Sequence, residues 1–375
     1  MPRFSHVLLL LSLVTPACLT RAQSPDSQLV ITAYVFARGA VLKQGQIDPA
    51  KLTRINYAFS NIKAGRMVPG YPADAQNFAL LRSLRNSNPH LTVLVSVGGW
   101  LWSANFSDMA LTPQSRAVFE DSVMQFLTRF DLDGLDIDWE YPGLPGSGHP
   151  FRAEDKRNFT SLLRELRERF DAKARRGRRL YLTIAMGASD EVIANTEMQK
   201  VQKYVDTVNL MTYDYYEPGS ESITGNHSPL YPDPADPKAA ASADTVRAFQ
   251  KAGVPAEKIL LGVPFYGHEW GEVKDQNHGL FQVGKAVPGA YTPFTVIDTT
   301  MLASGFTRYW DNTAKVPYLY NPQQHLFVSY EDPESLKIKC RYIRDQKLGG
   351  IMFWEYFGDS QGKLLQTINT ELRKP

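Results

Sequence analysis

Eight short apolar runs, separated mostly by helix-length amphipathic stretches, restrict the fold of this sequence more than any other feature. The runs are 29–36, 54–60, 91–97, 134–140, 180–186, 207–213, 259–266 and 349–354. Each has the length of a strand. The stretches 116–130, 154–169 and 244–252 place apolar residues at three- and four-residue steps, as amphipathic helices do. Strands that alternate with helices pair in parallel, and eight such units predict a closed (β/α)8 TIM barrel, an α/β fold of about 250 residues. The spacing breaks once, after the seventh run. Residues 334–346 read as the last crossover helix, which leaves 267–332 as an insertion between strand 7 and helix 7. It is rich in Tyr, Phe, Val and Thr with Gly and Pro between them, and so predicts a small β-containing subdomain. A structureless loop of that length does not suit a compact domain. The expected organisation is a barrel over 28–266 and 333–375, with an insertion that leaves the carboxyl-terminal face and walls one side of a cleft.

The first residues read as an address. A short basic start is followed by an apolar stretch from Val7 to Val14, and Thr20-Arg-Ala22 offers small residues at −3 and −1 of a cleavage site. Residues 1–22 are therefore expected to be an export signal, and the protein to be secreted, extracellular or periplasmic. The apolar stretch is shorter than the roughly 20 residues that span a bilayer, so no integral membrane span is expected. Cys18 could carry a lipid in a bacterial lipoprotein, but Thr-Pro-Ala before it lacks the usual large aliphatic residue. With cleavage beyond Cys18 only Cys340 remains, which excludes an intramolecular disulfide and leaves stability to a large core. Asn105-Phe-Ser, Asn158-Phe-Thr and Asn226-His-Ser match the glycosylation acceptor pattern.

The formal net charge is +2, with both signs interspersed. The one basic cluster, Arg175-Arg-Gly-Arg-Arg179, has no interleaved aromatics and reads as a solvated loop, so no nucleic-acid partner is expected. Aromatic residues are 11% of the chain, enough to offer faces on which sugar rings stack, although most belong to the core.

The chemistry is concentrated in Asp133-Gly-Leu-Asp136-Ile-Asp138-Trp-Glu140. Side chains two apart on a strand share a face. Asp136, Asp138 and Glu140 should point into the lumen, with Leu135, Ile137 and Trp139 against the helices. Glu140, last in the file, should emerge at the carboxyl-terminal mouth, where barrel active sites lie. Three carboxylates in a low-dielectric interior cannot all ionise cheaply, so at least one pKa should rise, which is how a Glu is kept protonated as a general acid. Asp133 has the opposite parity and is expected to brace the start of the strand. A divalent-metal site is a weaker reading, since nothing resembles a calcium loop; no metal and no cofactor are expected.

This Asp-x-x-Asp-x-Asp-x-Glu run, with Trp139, Tyr141 and Pro142 beside it, resembles the signature of family 18 glycoside hydrolases, the chitinase family. Ser96-Val-Gly98-Gly99-Trp100 resembles that family's Ser-x-Gly-Gly motif. Asn56-Tyr-Ala-Phe59, Met211-Thr-Tyr213-Asp214, Gly262-Val-Pro-Phe-Tyr266-Gly and Gly349-Gly-Ile-Met-Phe-Trp354-Glu355 fall at strand ends in matching order. The insertion corresponds to the α+β subdomain of the deep-cleft members. The resemblance implies a retaining, substrate-assisted reaction in which the N-acetyl oxygen of the sugar attacks its own anomeric carbon. It implies Glu140 as general acid and base, and Asp138 as partner of the acetamido N–H. Asp136 would share a proton with Asp138, and Tyr213 would donate to the acetamido group. Met211, Asp214, Tyr266, Tyr141 and Trp354 would line the reacting pocket, and Trp100 would stack on a nearby sugar. Ser96, Gly98 and Gly99 would serve close backbone packing, and Tyr34 and Phe59 either the lumen or the core. His268 departs from the Arg of many deep-cleft members, and Tyr215-Tyr216-Glu217-Pro-Gly219 from the usual aglycone platform. The implied partner is chitin or another N-acetylglucosamine-containing glycan, and the implied state a monomer. An endo-β-N-acetylglucosaminidase, a peptidoglycan hydrolase and a chitin-binding lectin on the same barrel stay open as alternatives.

Overall fold

A computed structural model describes residues 29–174 and 179–374. The expected export signal, and all of the basic cluster except Arg179, lie outside the described residues.

Eight parallel strands close a barrel: Val30–Phe36, Arg54–Lys63, Thr92–Gly98, Gly134–Asp138, Tyr181–Gly187, Thr207–Met211, Ile259–Pro264 and Gly350–Trp354. Closure comes from the first strand, which pairs with the eighth through Val30–Gly350 and with the second through Tyr34–Asn56. Helices Pro113–Phe130, Asp155–Ala174, Ser242–Lys251, Pro333–Asp345 and Lys363–Leu372 belong to the outer layer. Two of them start on matched chemistry. Thr112 and Ser115 form a capping box with Pro113 in the first turn, and Asp332 and Ser335 do the same before Pro333. Between barrel and helices lies one apolar layer, in which Leu135, Ile137, Val95, Leu182, Phe119 and Phe159 are almost wholly buried. Each such side chain contributes about 1.5–3 kcal/mol on burial. Cys340 is buried there as a free thiol. Among the described residues no helix is long and apolar enough to cross a membrane.

The seventh run differs from the expected 259–266. Its strand stops at Pro264: Phe265 N–H still donates to the Trp354 carbonyl of the eighth strand, but Phe265 O accepts from Phe294 N–H of the insertion, where the chain leaves the barrel. Tyr266 then opens a separate five-stranded antiparallel sheet. Its order in space is Lys285–Pro293, Tyr266–Gly271, Leu326–Ser329, Val316–Asn321 and Thr307–Asp311. This insertion has its own small core around Trp270, Tyr318, Tyr320 and Phe327. The fourth strand also ends early, at Asp138. Two residues on, the Glu140 amide donates to the Ser103 hydroxyl (2.9 Å). Asn226, in one of the glycosylation matches, is 1% exposed and donates to Asp311, so the folded chain does not offer it for modification.

Candidate active site

Alternation along the fourth strand divides it as period two requires. Leu135, Ile137 and Trp139 belong to the apolar layer, with Trp139 stacked on Phe106 at 5.1 Å. Asp136 points inward, and two oxygens meet four donors. Oδ1 accepts from Thr183 Oγ1 (2.5 Å) and Asn209 Nδ2 (3.1 Å); Oδ2 accepts from Ser96 Oγ (2.7 Å) and Tyr34 OH (2.9 Å). The chain of contacts continues downward, from Asn209 to Thr207 and from Thr207 to the buried guanidinium of Arg54. Burial pushes the Asp136 carboxyl up, and the Thr183, Ser96 and Tyr34 hydroxyls pull it back. Four donors fill the four acceptor sites of a carboxylate. No hydrogen bond joins Asp136 to Asp138 in this arrangement, so the expected shared proton has no direct path between them here.

Asp138 and Glu140 have the opposite surroundings. Asp138 is buried, and its Oδ1 has no hydrogen-bond partner among the described residues. Burial, reinforced by the charges of Glu140 and Asp136, raises its carboxyl well above the usual range. Glu140 is pushed up to about 7 by burial, against a hydrogen bond from Tyr141 and with help from the charges of Asp214 and Glu217. Both carboxyls open into a cleft of about 1100 Å³ at the carboxyl ends of the strands.

The third strand explains why its motif contains glycines. Gly98 has φ +108°, and a Cβ there would sit 2.2 Å from the Asp138 carbonyl oxygen; Gly99 N–H donates to that oxygen at 2.8 Å. Gly99 also faces the Phe59 ring, which a Cβ would meet at 2.7 Å. Ser96 does more than pack, because its hydroxyl is one of the four donors on Asp136. Asp133 accepts from Arg85 and from Val93 N–H at the start of the strand, outside the cleft.

Trp354 forms part of the cleft floor, stacked on Phe59 at 5.5 Å and tilted against Phe36 and Tyr34. Trp100 is 49% exposed on the rim, edge-on to Tyr141, which rules out a core role for it. Tyr213 and Met211 line the wall. Burial, and then the charges of Asp214, Asp138 and Glu140, hold the Tyr213 phenol well above its ordinary value, so it stays a proton donor. Asp214 has a left-handed backbone (φ +60°) and accepts from Tyr266 OH (2.6 Å) and His268 Nε2 (2.8 Å). Burial alone would raise its carboxyl, but the facing His227 and His268 imidazoles hold it below the usual range.

The structure thus brings Asp138, Glu140, Tyr213, Asp214, Met211, Tyr141, Tyr266, Trp100 and Trp354 to one cleft, and leaves Asp136 beneath it and Asp133 at the opposite end of the strand. Sequence reasoning missed Thr183 and Asn209, although both stand at inward-facing positions of the fifth and sixth strands. It also missed His227, which sits in an irregular loop with no pattern to mark it.

The family described as Glycosyl hydrolases family 18 matches residues 30–359. Chitinase A1 of Niallia circulans is 36% identical over 438 residues, an alignment covering 98% of this chain and 62% of that protein. This chain therefore spans a little under two thirds of that relative's length. Chitotriosidase-1 of Mus musculus is 34% identical, with 88% and 74% covered. Among solved structures, a family 18 N-acetylglucosaminidase from Paenibacillus barengoltzii is similar with a TM-score of 0.84 and 40% identity, over 92% of this chain and 99% of that one.

Proposed function

Because this chain belongs to glycosyl hydrolases family 18, we propose that it hydrolyses β-1,4 bonds between N-acetylglucosamine units of chitin and its oligomers, with retention and with assistance from the substrate. The observation that carries the reading is the unequal treatment of the three inward carboxyls. Asp136 has a full set of donors, whereas Asp138 and Glu140 face the cleft with raised proton affinity. A carboxyl titrating near 7 holds a proton at neutral pH and can deliver it to a leaving glycosidic oxygen. Glu140 is then the general acid, and its carboxylate becomes the base that activates water in the second step. Asp138 has an unpartnered buried oxygen free to accept from the acetamido N–H, which turns the amide oxygen toward the anomeric carbon. Asp136, fixed in place by its four donors, supports the proton on Asp138 through its negative charge. Tyr213 donates to the acetamido oxygen, and Trp354 lies under the sugar face.

The test compares chitin oligomers with wild-type protein and Glu140→Gln. Near-complete loss of product in the variant is expected; release at the native rate would refute the assignment. A second reading is removal of single terminal N-acetylglucosamine units, favoured by the likeness to the N-acetylglucosaminidase over nearly that protein's whole length. Early products from a labelled hexamer separate the two, because an exo-acting enzyme yields monomer from the first turnover. Export follows from the leader reading of residues 1–22, and the amino terminus of the secreted protein checks it. A monomer in solution is likewise part of the proposal, and light scattering decides it.

A further inference from the structure

Asp214, His227 and His268 converge on one point of the cleft wall from three parts of the chain: the end of the sixth strand, the loop after it, and the first strand of the insertion. Asp214 and His268 also line the cleft. Asp214 Oδ1 lies 2.8 Å from His268 Nε2 and 3.5 Å from His227 Nδ1, and one donor atom from each residue falls within 4.8 Å of the other two. The two imidazoles meet edge-on with centroids 4.8 Å apart.

His227 is the anomaly. Its side chain is wholly buried, yet Nε2 has no hydrogen-bond partner among the described residues and Nδ1 has only the long 3.5 Å contact with Asp214. A buried polar group left unpaired costs about 1–3 kcal/mol, and native structures seldom keep one without a reason. The segment is held firmly in place: His227 N–H donates to Ser329 Oγ of the insertion (2.9 Å), and the adjacent Asn226 and Ser228 side chains are hydrogen-bonded too. The imidazole is therefore presented to Asp214 by its surroundings and not left there by slack packing.

We propose that Asp214, His227 and His268 form a binding site for a transition-metal dication of the zinc class, with its fourth coordination position open to the cleft. Two imidazoles and one carboxylate are a donor set that suits zinc. Tetrahedral bonds of about 2.0–2.1 Å would place the ligand atoms roughly 3.4 Å apart, so the observed spacing closes on a metal with small side-chain rotations. Burial above all, helped by the charges of His268 and Lys339 and opposed by Asp214, pulls His227 down to about 4, which leaves its lone pair free at neutral pH. Tyr266 OH, already donating to Asp214, would serve as the outer partner that orients the carboxylate. Asp214 and His268 line the same cleft as Glu140, so a metal held there would inhibit glycan hydrolysis competitively. That last consequence rests on the proposed function; metal binding itself does not.

The experiment is calorimetric titration of the tag-free full chain with zinc chloride at pH 7, after removal of bound metal with a chelator. One zinc per chain is expected. His227→Gln and His268→Gln should each weaken binding by more than the roughly 10–100-fold lost when only an outer partner is removed. His278→Gln, an exposed histidine paired with Asp275, should bind as the wild type does. X-ray absorption on the wild-type zinc complex, which does not depend on any variant folding, should show two imidazole nitrogens at about 2.0–2.1 Å. No stoichiometric binding, a first shell without two imidazoles, or equal affinity in folded His227→Gln and His268→Gln would overturn the proposal. Because zinc binding is read directly, its failure is distinct from a failure of the glycosidase reading.

Discussion

Two levels of the barrel lumen, one strand pleat apart, treat the same chemical group in opposite ways. At the lower level, Asp136 has four donors from four strands, and every acceptor site is filled. At the upper level, Asp138 keeps a buried oxygen without a partner, and Glu140 titrates near 7. Filled polar networks fix a structure, whereas incomplete ones wait for something to complete them. The contrast teaches that the lower level holds the strands in register, and that the upper level has been left short of donors where a substrate can supply them.

Substitutions test that division, because changes above should affect rate and changes below should affect stability. Glu140→Gln should lower kcat/KM by about a thousandfold, within the roughly 10²–10⁴ range of general acid catalysis, while thermal unfolding stays cooperative. Asp138→Asn should cost about a hundredfold in kcat with a smaller change in KM, since the amide can still accept from the acetamido N–H but cannot carry the negative charge that stabilises the positively charged intermediate. If either variant unfolds as readily as it loses activity, the upper level is structural and the division fails.

The pH dependence of stability sharpens the comparison. Glu140 titrates at about 7 folded, against 4.5 for a free side chain, so the folded state holds this proton more tightly. Stability should therefore fall as pH rises from about 4.5 to 7, by at most about 3 kcal/mol from this group. Glu140→Gln should flatten that slope in urea titrations; an unchanged slope would mean Glu140 does not titrate there. In the lower level, Asp136→Asn turns one acceptor into a donor facing hydroxyl and amide donors. It should reduce unfolding free energy by roughly 1–3 kcal/mol, measured by urea denaturation at pH 7. The smallest effect belongs to the rim. Trp100→Ala should raise KM for long oligomers several-fold, in line with about 0.5–1.5 kcal/mol for an aromatic contact, with kcat nearly unchanged.

The barrel was legible because strands and helices have different periods, and because one strand carried acid and apolar side chains on strictly alternating positions. The same alternation places Leu135, Ile137 and Trp139 outward and the three acids inward. The ends of the strands were less legible. Whether Tyr266 closes the seventh strand or opens the insertion depends on hydrogen bonds from Phe265 to distant residues, which no local pattern encodes. The donors on Asp136 were half visible: Ser96 belonged to a motif, but Thr183 and Asn209 are ordinary strand residues whose meaning comes only from sharing a layer with Asp136. His227 was illegible because its position is fixed by the insertion, more than a hundred residues further along the chain at Ser329.

The central claim is that the nucleophile belongs to the substrate, that Asp138 holds it in place, and that Glu140 protonates the leaving glycosidic oxygen. The most direct measurement uses aryl chitobiosides whose acetamido methyl, on the sugar being cleaved, carries zero to three fluorines. Fluorine withdraws electrons from the amide oxygen without changing its place. If that oxygen attacks the anomeric carbon, kcat/KM should fall steeply with each fluorine. Equal rates across the series would contradict the account and move the nucleophile onto the protein.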